Sequence, residues 1–176
     1  LDMLAYLTIG TGIGGGLVAN GRPVHGVLHP EMGHVRIRRI AGDDFTGICL
    51  VHHDCLEGLA SGPAIAARAG LPADRLPRDH PVWQLAGAYI GEMLANLVLL
   101  AAPQRILIGG GVGLGQPQLI AAARTVLVEQ LNCFINRPEL NVAINSYVAP
   151  CVLGDRAGPL GAVALALHRL GQTGRA

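Results

Sequence analysis

The 176 residues are enough for one domain with a real core. At 51% hydrophobic and 14% charged, with a formal net charge of +1, the composition is globular and excludes disorder. No basic patch stands out and aromatics are only 3%, which excludes the stacking platforms that hold single-stranded nucleic acid, so no nucleic-acid partner is expected.

The chain opens on Leu1 rather than Met and enters a strand-like run, Leu4 to Ile9, almost at once; a piece of a longer protein is expected. A glycine run follows, and then Asn20-Gly21, the strongest short hairpin signal. A third extended run is read at His34 to Ile40, so the start is a β-meander rather than a βαβ unit. Residues 41 to 55 read as a loop with two cysteines. Glu57 to Ala69 reads as one helix stopped by Gly70, and "LPADRLPRDHP" as a proline-rich connection.

Val82 to Ala102 is long enough and apolar enough to span a membrane, with Glu92 its only charge. Gln84, Glu92 and Asn96, however, are spaced by multiples of four and line one narrow helical stripe. The reading is therefore a buried or dimer-facing helix, with no membrane partner. "RILIGGGVG" reads as a buried strand entering a glycine turn. Leu119 to Phe134 is an amphipathic helix, Asn141 to Val148 a strand, and Pro159 to Leu170 a closing helix with proline in its first turn.

Gly10, Gly12 and Gly15 satisfy G-x-G-x-x-G, but a dinucleotide loop needs a helix directly after its glycines. Here they lead into a hairpin strand, so that reading fails. A tight turn at Gly10-Thr11-Gly12 instead exposes backbone N–H groups with no side chains in the way, and Thr11 adds a hydroxyl. That is a phosphate cradle between antiparallel strands. The second glycine turn, "ILIGGGVG", would let an adenosine approach the backbone. Either alone reads as a tight turn; two in one chain favour phosphate binding.

Cys49, His52 and Cys55 form C-x2-H-x2-C, and His34 lies fifteen residues upstream of Cys49. Cys2His2 is a closed tetrahedral set, the mark of structural Zn2+. The bland alternative is two buried thiols and surface histidines. His53 and His29 are rival ligands. Cys133 and Cys151 lack histidine neighbours and read as ordinary buried thiols. Four cysteines are too few for a disulfide scaffold and no signal-peptide pattern is present, so a reducing cytoplasm is expected. Zinc would clamp the loop at about residues 29–58 and hold Glu31, His34 and Glu57 near one another. Two carboxylates and an imidazole suit sugar hydroxyls, which donate and accept at once. For each Glu the alternative is a solvated charge, and for Glu57 a favourable acid in a helix's first turn.

"YLTIGTGIGGGLVANGRPVHGVLHPEMGH" and "GICLVHHDCLEGLASGPAI" closely resemble the ROK sugar kinases, and the C-x2-H-x2-C form is most similar to their zinc-containing bacterial fructokinases. "PQRILIGGGVG" resembles the family's adenosine segment and "AGPLGAVALA" its closing helix. The resemblance implies an α/β, ribonuclease H-like (actin-like ATPase) lobe: a mixed sheet with an N-terminal β-meander, then alternating helices and strands, plus the zinc-bound loop. It implies that Gly10, Thr11, Gly12 and Gly14 form the ATP phosphate loop and Gly109, Gly110, Gly111 and Val112 the adenosine loop. His34, Cys49, His52 and Cys55 match the zinc ligands, and Glu31, His34 and Glu57 the sugar contacts. The family usually has Pro and Gly where Leu50 and His53 stand.

The family's N-terminal lobe, with its D-x-G-G-T motif and catalytic aspartate, is not in these residues. The resemblance thus implies the C-terminal lobe (1–176) of a fructokinase-like enzyme, with the general-base Asp expected before Leu1 and this chain alone nearly inactive. ATP, Mg2+, a hexose (fructose favoured) and a homodimer are implied with it. The rival readings are a sugar-sensing ROK transcriptional repressor and a non-catalytic zinc-bound module.

Overall fold

Alternation in the first strand sets the architecture. In β1 (Met3–Ile9), Ala5, Leu7 and Ile9 are buried on one face of the strand. The computed structural model, which describes residues 1–173, places β1 at the centre of a five-stranded sheet of order β3-β2-β1-β4-β5. β2 (Ile13–Ala19) pairs antiparallel with β1, from Met3 opposite Ala19 to Ile9 opposite Ile13. Asn20 and Gly21, both at positive φ (52° and 71°), turn the chain into the short β3 (Arg22–Pro23). The meander is thus present, but its third strand is Arg22–Pro23 and not His34–Ile40. That later segment makes only an isolated bridge, Arg36 to Cys55. Its groups are engaged elsewhere: Arg38 on Glu92, Arg39 on the carbonyls of Asp43 and Phe45, and Ile40 N–H on Tyr89.

The expected helix over Glu57–Ala69 is two helices. α1 (Leu56–Ala60) ends at Ser61, whose ψ of 165° breaks the run, and α2 (Gly62–Ala69) restarts there with Ser61 as its N-cap. Pro63 is the cause: inside a continuous helix its ring would strike the carbonyl four residues back, whereas in a first turn it costs nothing. Gly70, left-handed at φ 70°, stops α2 as read.

α3 (Val82–Ala101) is the core helix; Trp83, Tyr89, Ile90 and Leu94 are fully buried. It is long and apolar enough to cross a membrane, but 56% of its most apolar window is buried inside the protein. Glycines let it approach α5 (Pro117–Leu131): a methyl on Gly91 would stand 2.7 Å from the Ala123 carbonyl oxygen. Both helices pack on the sheet where Ile90, Leu94 and Leu119 meet Ile9, Ile108 and Val148.

β4 (Arg105–Gly109) runs parallel to β1 and leads into the short α4 (Gly111–Gly115). The expected strand Asn141–Val148 is mostly helical. α6 (Pro138–Asn141) and α7 (Ile144–Tyr147) occupy it, and only β5 (Val148–Pro150) joins the sheet, on the free edge of β4. Pro138 favours a helical first turn, and Arg124 binds the carbonyls of Asn145 and Val148, holding the chain helical until it reaches that edge. α8 (Ala157–Thr173) closes the described chain, with Leu160, Val163 and Leu167 exposed. Cys151 is buried as expected. Cys133 is exposed, because Asn132 and Cys133 both turn left-handed where α5 ends.

Candidate functional site

Two parallel strands end at the same edge of a sheet, so whatever follows them is adjacent. The β1–β4 register ends at Thr8 opposite Gly109, which sets the two glycine turns side by side although a hundred residues separate them. A methyl on Gly10 would lie 3.9 Å from the Gly111 nitrogen. Gly110 passes over the backbone of Ile9 at φ 82°, with no room for a side chain. Gly10, Thr11, Gly111 and Val112 line a cleft of about 750 Å³. Gly12 faces Glu57 instead, and Gly14 lies within β2 opposite Thr8. Gly109 packs on Tyr6.

The other wall of the cleft was not read from sequence. It is built by Gly62, Pro63 and Ala66 of α2 and by Ala73, Asp74 and Gln116. The Gly62 N–H donates to the Gly10 carbonyl at 2.8 Å and docks α2 on the first turn. The Ser61-Gly62-Pro63 helix start was the available signal.

The Cys–His cluster gathers at the start of α1, where Cys55 is the N-cap. The ligand atoms of His34, Cys49, His52 and Cys55 all lie within 4.8 Å of one another. His34 Nδ1 is 3.6 Å from Cys55 Sγ and 3.8 Å from Cys49 Sγ, and His52 Nδ1 is 3.9 Å from Cys49 Sγ. With zinc bonds of about 2.3 Å to sulfur and about 2.0 Å to nitrogen, a tetrahedron has S···N edges of about 3.5 Å. The four groups therefore fit a zinc ion. Backbone N–H groups of His52 and Val51 outweigh burial and bring the Cys49 thiol down to about 6, in reach of the thiolate a metal needs. Burial and the neighbouring Cys49 push the Cys55 thiol the other way.

The rival histidines lie elsewhere. His29 Nε2 pairs with Glu31 Oε1 at 2.8 Å. His53 is exposed and left-handed (φ 55°), and its backbone closes the Cys49–His53 turn. That turn departs from the Gly expected by resemblance at one of the strained positions glycine would relieve.

Glu31 and His34 bracket a single 3-10 turn, Met32–His34, with His34 N–H on the Glu31 carbonyl at 3.0 Å. The turn is pressed on β2 by Met32 against Gly15 and Gly33 against the Ile13 carbonyl. From the other side, Glu57 Oε2 accepts the Ile13 N–H at 2.9 Å. Gly33 and Glu57 thus meet at Ile13, while the exposed Glu31 carboxylate is turned to His29. With Nδ1 of His34 facing the sulfurs, its Nε2 remains as a hydrogen-bonding group for a second partner.

A buried polar knot braces the loop that precedes Cys49. Asp43 takes two hydrogen bonds from Arg68, at 2.7 and 2.8 Å, and another from the Tyr89 hydroxyl. Arg68 also donates to the Leu59 carbonyl and stacks 4.1 Å over Phe45. Sequence reading missed the knot, since its members lie on three elements with no shared spacing.

An α/β lobe with a mixed sheet, paired glycine turns and a Cys2His2 cluster suited to zinc is the class this geometry defines. The model of the ROK family matches residues 1–169, and the chain belongs to that family. A Bacillus subtilis (strain 168) protein is 45% identical over 170 residues, 97% of this chain and 56% of its own length. The fructokinase of Pediococcus pentosaceus is 39% identical over 161 residues, 92% of this chain and 54% of its own. The crystal structure of the ROK hexokinase from Thermus thermophilus superposes with a TM-score of 0.71 at 29% identity, over 92% of this chain and 57% of that one. The chain thus spans about half the length of the relatives it matches.

Proposed function

We propose that this chain is the C-terminal lobe of a two-lobed hexose kinase that transfers the γ-phosphate of ATP to fructose, giving fructose 6-phosphate. The observation that carries this reading is the pairing of the two glycine turns on one cleft, with Glu57 joined to the first of them. The Gly10–Gly12 turn would cradle phosphate charge with the Thr11 and Gly12 N–H groups, the Gly10 N–H being held by the Gly12 carbonyl, and Gly111 and Val112 would lie against the adenosine. Mg2+ would enter with the nucleotide as part of the substrate.

Glu31, His34 and Glu57 would orient the sugar through its hydroxyls. His34, Cys49, His52 and Cys55 would hold a structural zinc, which ties the loop carrying the sugar contacts to α1. One imidazole, His34, would serve metal and substrate at once. The general base that deprotonates the attacking 6-hydroxyl would come from an N-terminal lobe. Without that lobe, positioning and charge stabilisation are both lost and the chain alone would be nearly inactive. Relatives bearing the fructokinase name support fructose as the hexose.

The test is a coupled assay of hexose phosphorylation, run on this chain and on the longer polypeptide that carries it, with fructose, glucose and mannose. Fructose turnover by the longer protein and almost none by this chain is the expected pattern. Kinase-like turnover by this chain alone would refute the assignment to an incomplete lobe. No turnover with any hexose by the longer protein would refute the kinase reading.

A further inference from the structure

The corner α1–Ser61–α2 grips the first glycine turn at two points. At one end Glu57 Oε2 accepts the Ile13 N–H at 2.9 Å; at the other the Gly62 N–H donates to the Gly10 carbonyl at 2.8 Å. The turn closes on itself through Gly10 N–H to the Gly12 carbonyl at 2.9 Å. Ser61, fully buried, joins the two grips: its N–H returns to the Glu57 carbonyl at 3.1 Å and its hydroxyl caps α2. Gly12 is glycine for this arrangement, since a methyl there would stand 2.5 Å from Glu57 Oε2. A carboxylate offers about four lone-pair sites over its two oxygens, so the Ile13 bond leaves Oε1 free to accept another donor.

The geometry points to Glu57 as a bridge that couples sugar occupancy to the phosphate turn. This inference rests on the proposed sugar and nucleotide sites. A hexose hydroxyl donating to Oε1 fixes the carboxylate plane, and with it the oxygen that holds the turn. Phosphate then meets a turn already ordered, so less ordering cost remains for its own binding. Linkage makes the effect mutual: nucleotide tightens sugar by the same factor as sugar tightens nucleotide. Glu57 is thus a positioning residue for the nucleotide as well as a contact for the sugar.

The experiment is calorimetric titration of Mg·AMPPNP into the longer enzyme, with and without saturating fructose, alongside the KM for each substrate. Wild type is expected to bind the nucleotide about fivefold tighter, or more, with sugar present. Glu57→Gln keeps a carbonyl oxygen for the Ile13 N–H. It should raise the sugar KM while holding the sugar-free nucleotide Kd within about twofold of wild type. Glu57→Ala removes both functions and should raise that Kd about tenfold as well. Gly12→Ala touches no sugar but displaces the carboxylate, and should raise the sugar KM about tenfold.

An unchanged sugar KM in Gly12→Ala would overturn the bridge. So would equal sugar-free nucleotide Kd values in Glu57→Gln and Glu57→Ala, a comparison that stands even if Gly12→Ala does not fold. Wild type binding both ligands without coupling overturns the bridge alone. Wild type binding neither overturns the functional reading and the bridge together.

Discussion

Arg68 closes a two-pronged hydrogen bond on Asp43, at 2.7 and 2.8 Å, and both side chains are 7% exposed. The Arg68 guanidinium, with help from Tyr89 and the Phe45 N–H, holds the Asp43 carboxyl well below the usual carboxylate range against the opposing effect of burial. A depressed carboxylate contributes stability that is present above its unfolded pKa of about 4 and lost as pH falls towards its folded value. Asp43→Asn leaves Arg68 buried without its counter-charge, and should cost about 3–5 kcal/mol in urea unfolding at pH 7. The variant should also lose stability less steeply than wild type when the pH is lowered below about 4.

The proposed zinc site is tested by composition. Purified protein, exhaustively dialysed, should carry about one zinc per chain, as a closed four-ligand site implies. His34→Ala and Cys55→Ser should each lose most of that zinc and lower the melting temperature, because a metal that binds only the folded loop contributes its binding energy to folding. His53→Ala should keep full zinc, since His53 is exposed and outside the cluster. Zinc loss in His53→Ala with retention in His34→Ala would reverse the ligand assignment.

Tyr147 donates its buried hydroxyl to the Pro103 carbonyl at 2.8 Å, joining α7 to the end of α3. Tyr147→Phe would leave that carbonyl unsatisfied and should cost about 1–2 kcal/mol. Burial, and then the charge of Glu139, push the phenol up to about 12. Its neutral form is therefore favoured by folding. That contribution is present below the ordinary tyrosine pKa of about 10 and is lost as pH rises through 12. Alkaline unfolding followed by circular dichroism should thus begin between these values in wild type and be shallower in Tyr147→Phe.

If the proposed nucleotide cleft is right, Gly62→Ala should weaken nucleotide binding by the longer polypeptide about tenfold, with little effect on any bound zinc. Its methyl would stand 2.8 Å from the Gly10 carbonyl oxygen and 3.1 Å from Val112 Cγ2, wedging α2 off both glycine turns. Ser61→Ala, which removes only the cap bond to the Ala64 N–H, should cost about 1 kcal/mol of stability. Equal nucleotide affinity in Gly62→Ala and wild type would show that the cleft between α2 and the turns is not where nucleotide binds.

Local chemistry was legible where neighbouring residues alone decide the outcome. Asn20-Gly21 makes its turn because both residues tolerate positive φ, and Gly70 stops α2 for the same reason. The C-x2-H-x2-C spacing brings three ligands within reach through one short loop, and His34 joined them as read. Where partners are distant, reading failed. His34–Ile40 has the look of a strand, yet Arg36 is taken by Asp54, Arg38 by Glu92, Arg39 by the 43–45 loop and the Ile40 N–H by Tyr89. Asn141–Val148 reads as extended, yet pairing with β4 begins only at Val148.

The sequence by itself determined the family, the hairpin, the core helix and the four-residue Cys–His cluster, because each rests on short-range spacing or on composition. Tertiary structure alone decided that two glycine turns a hundred residues apart would share one cleft, because only parallel pairing of β1 with β4 brings their ends together. It also decided that Glu57 would grip Ile13, because the break at Ser61 turns α1 and α2 into the corner that clasps that turn.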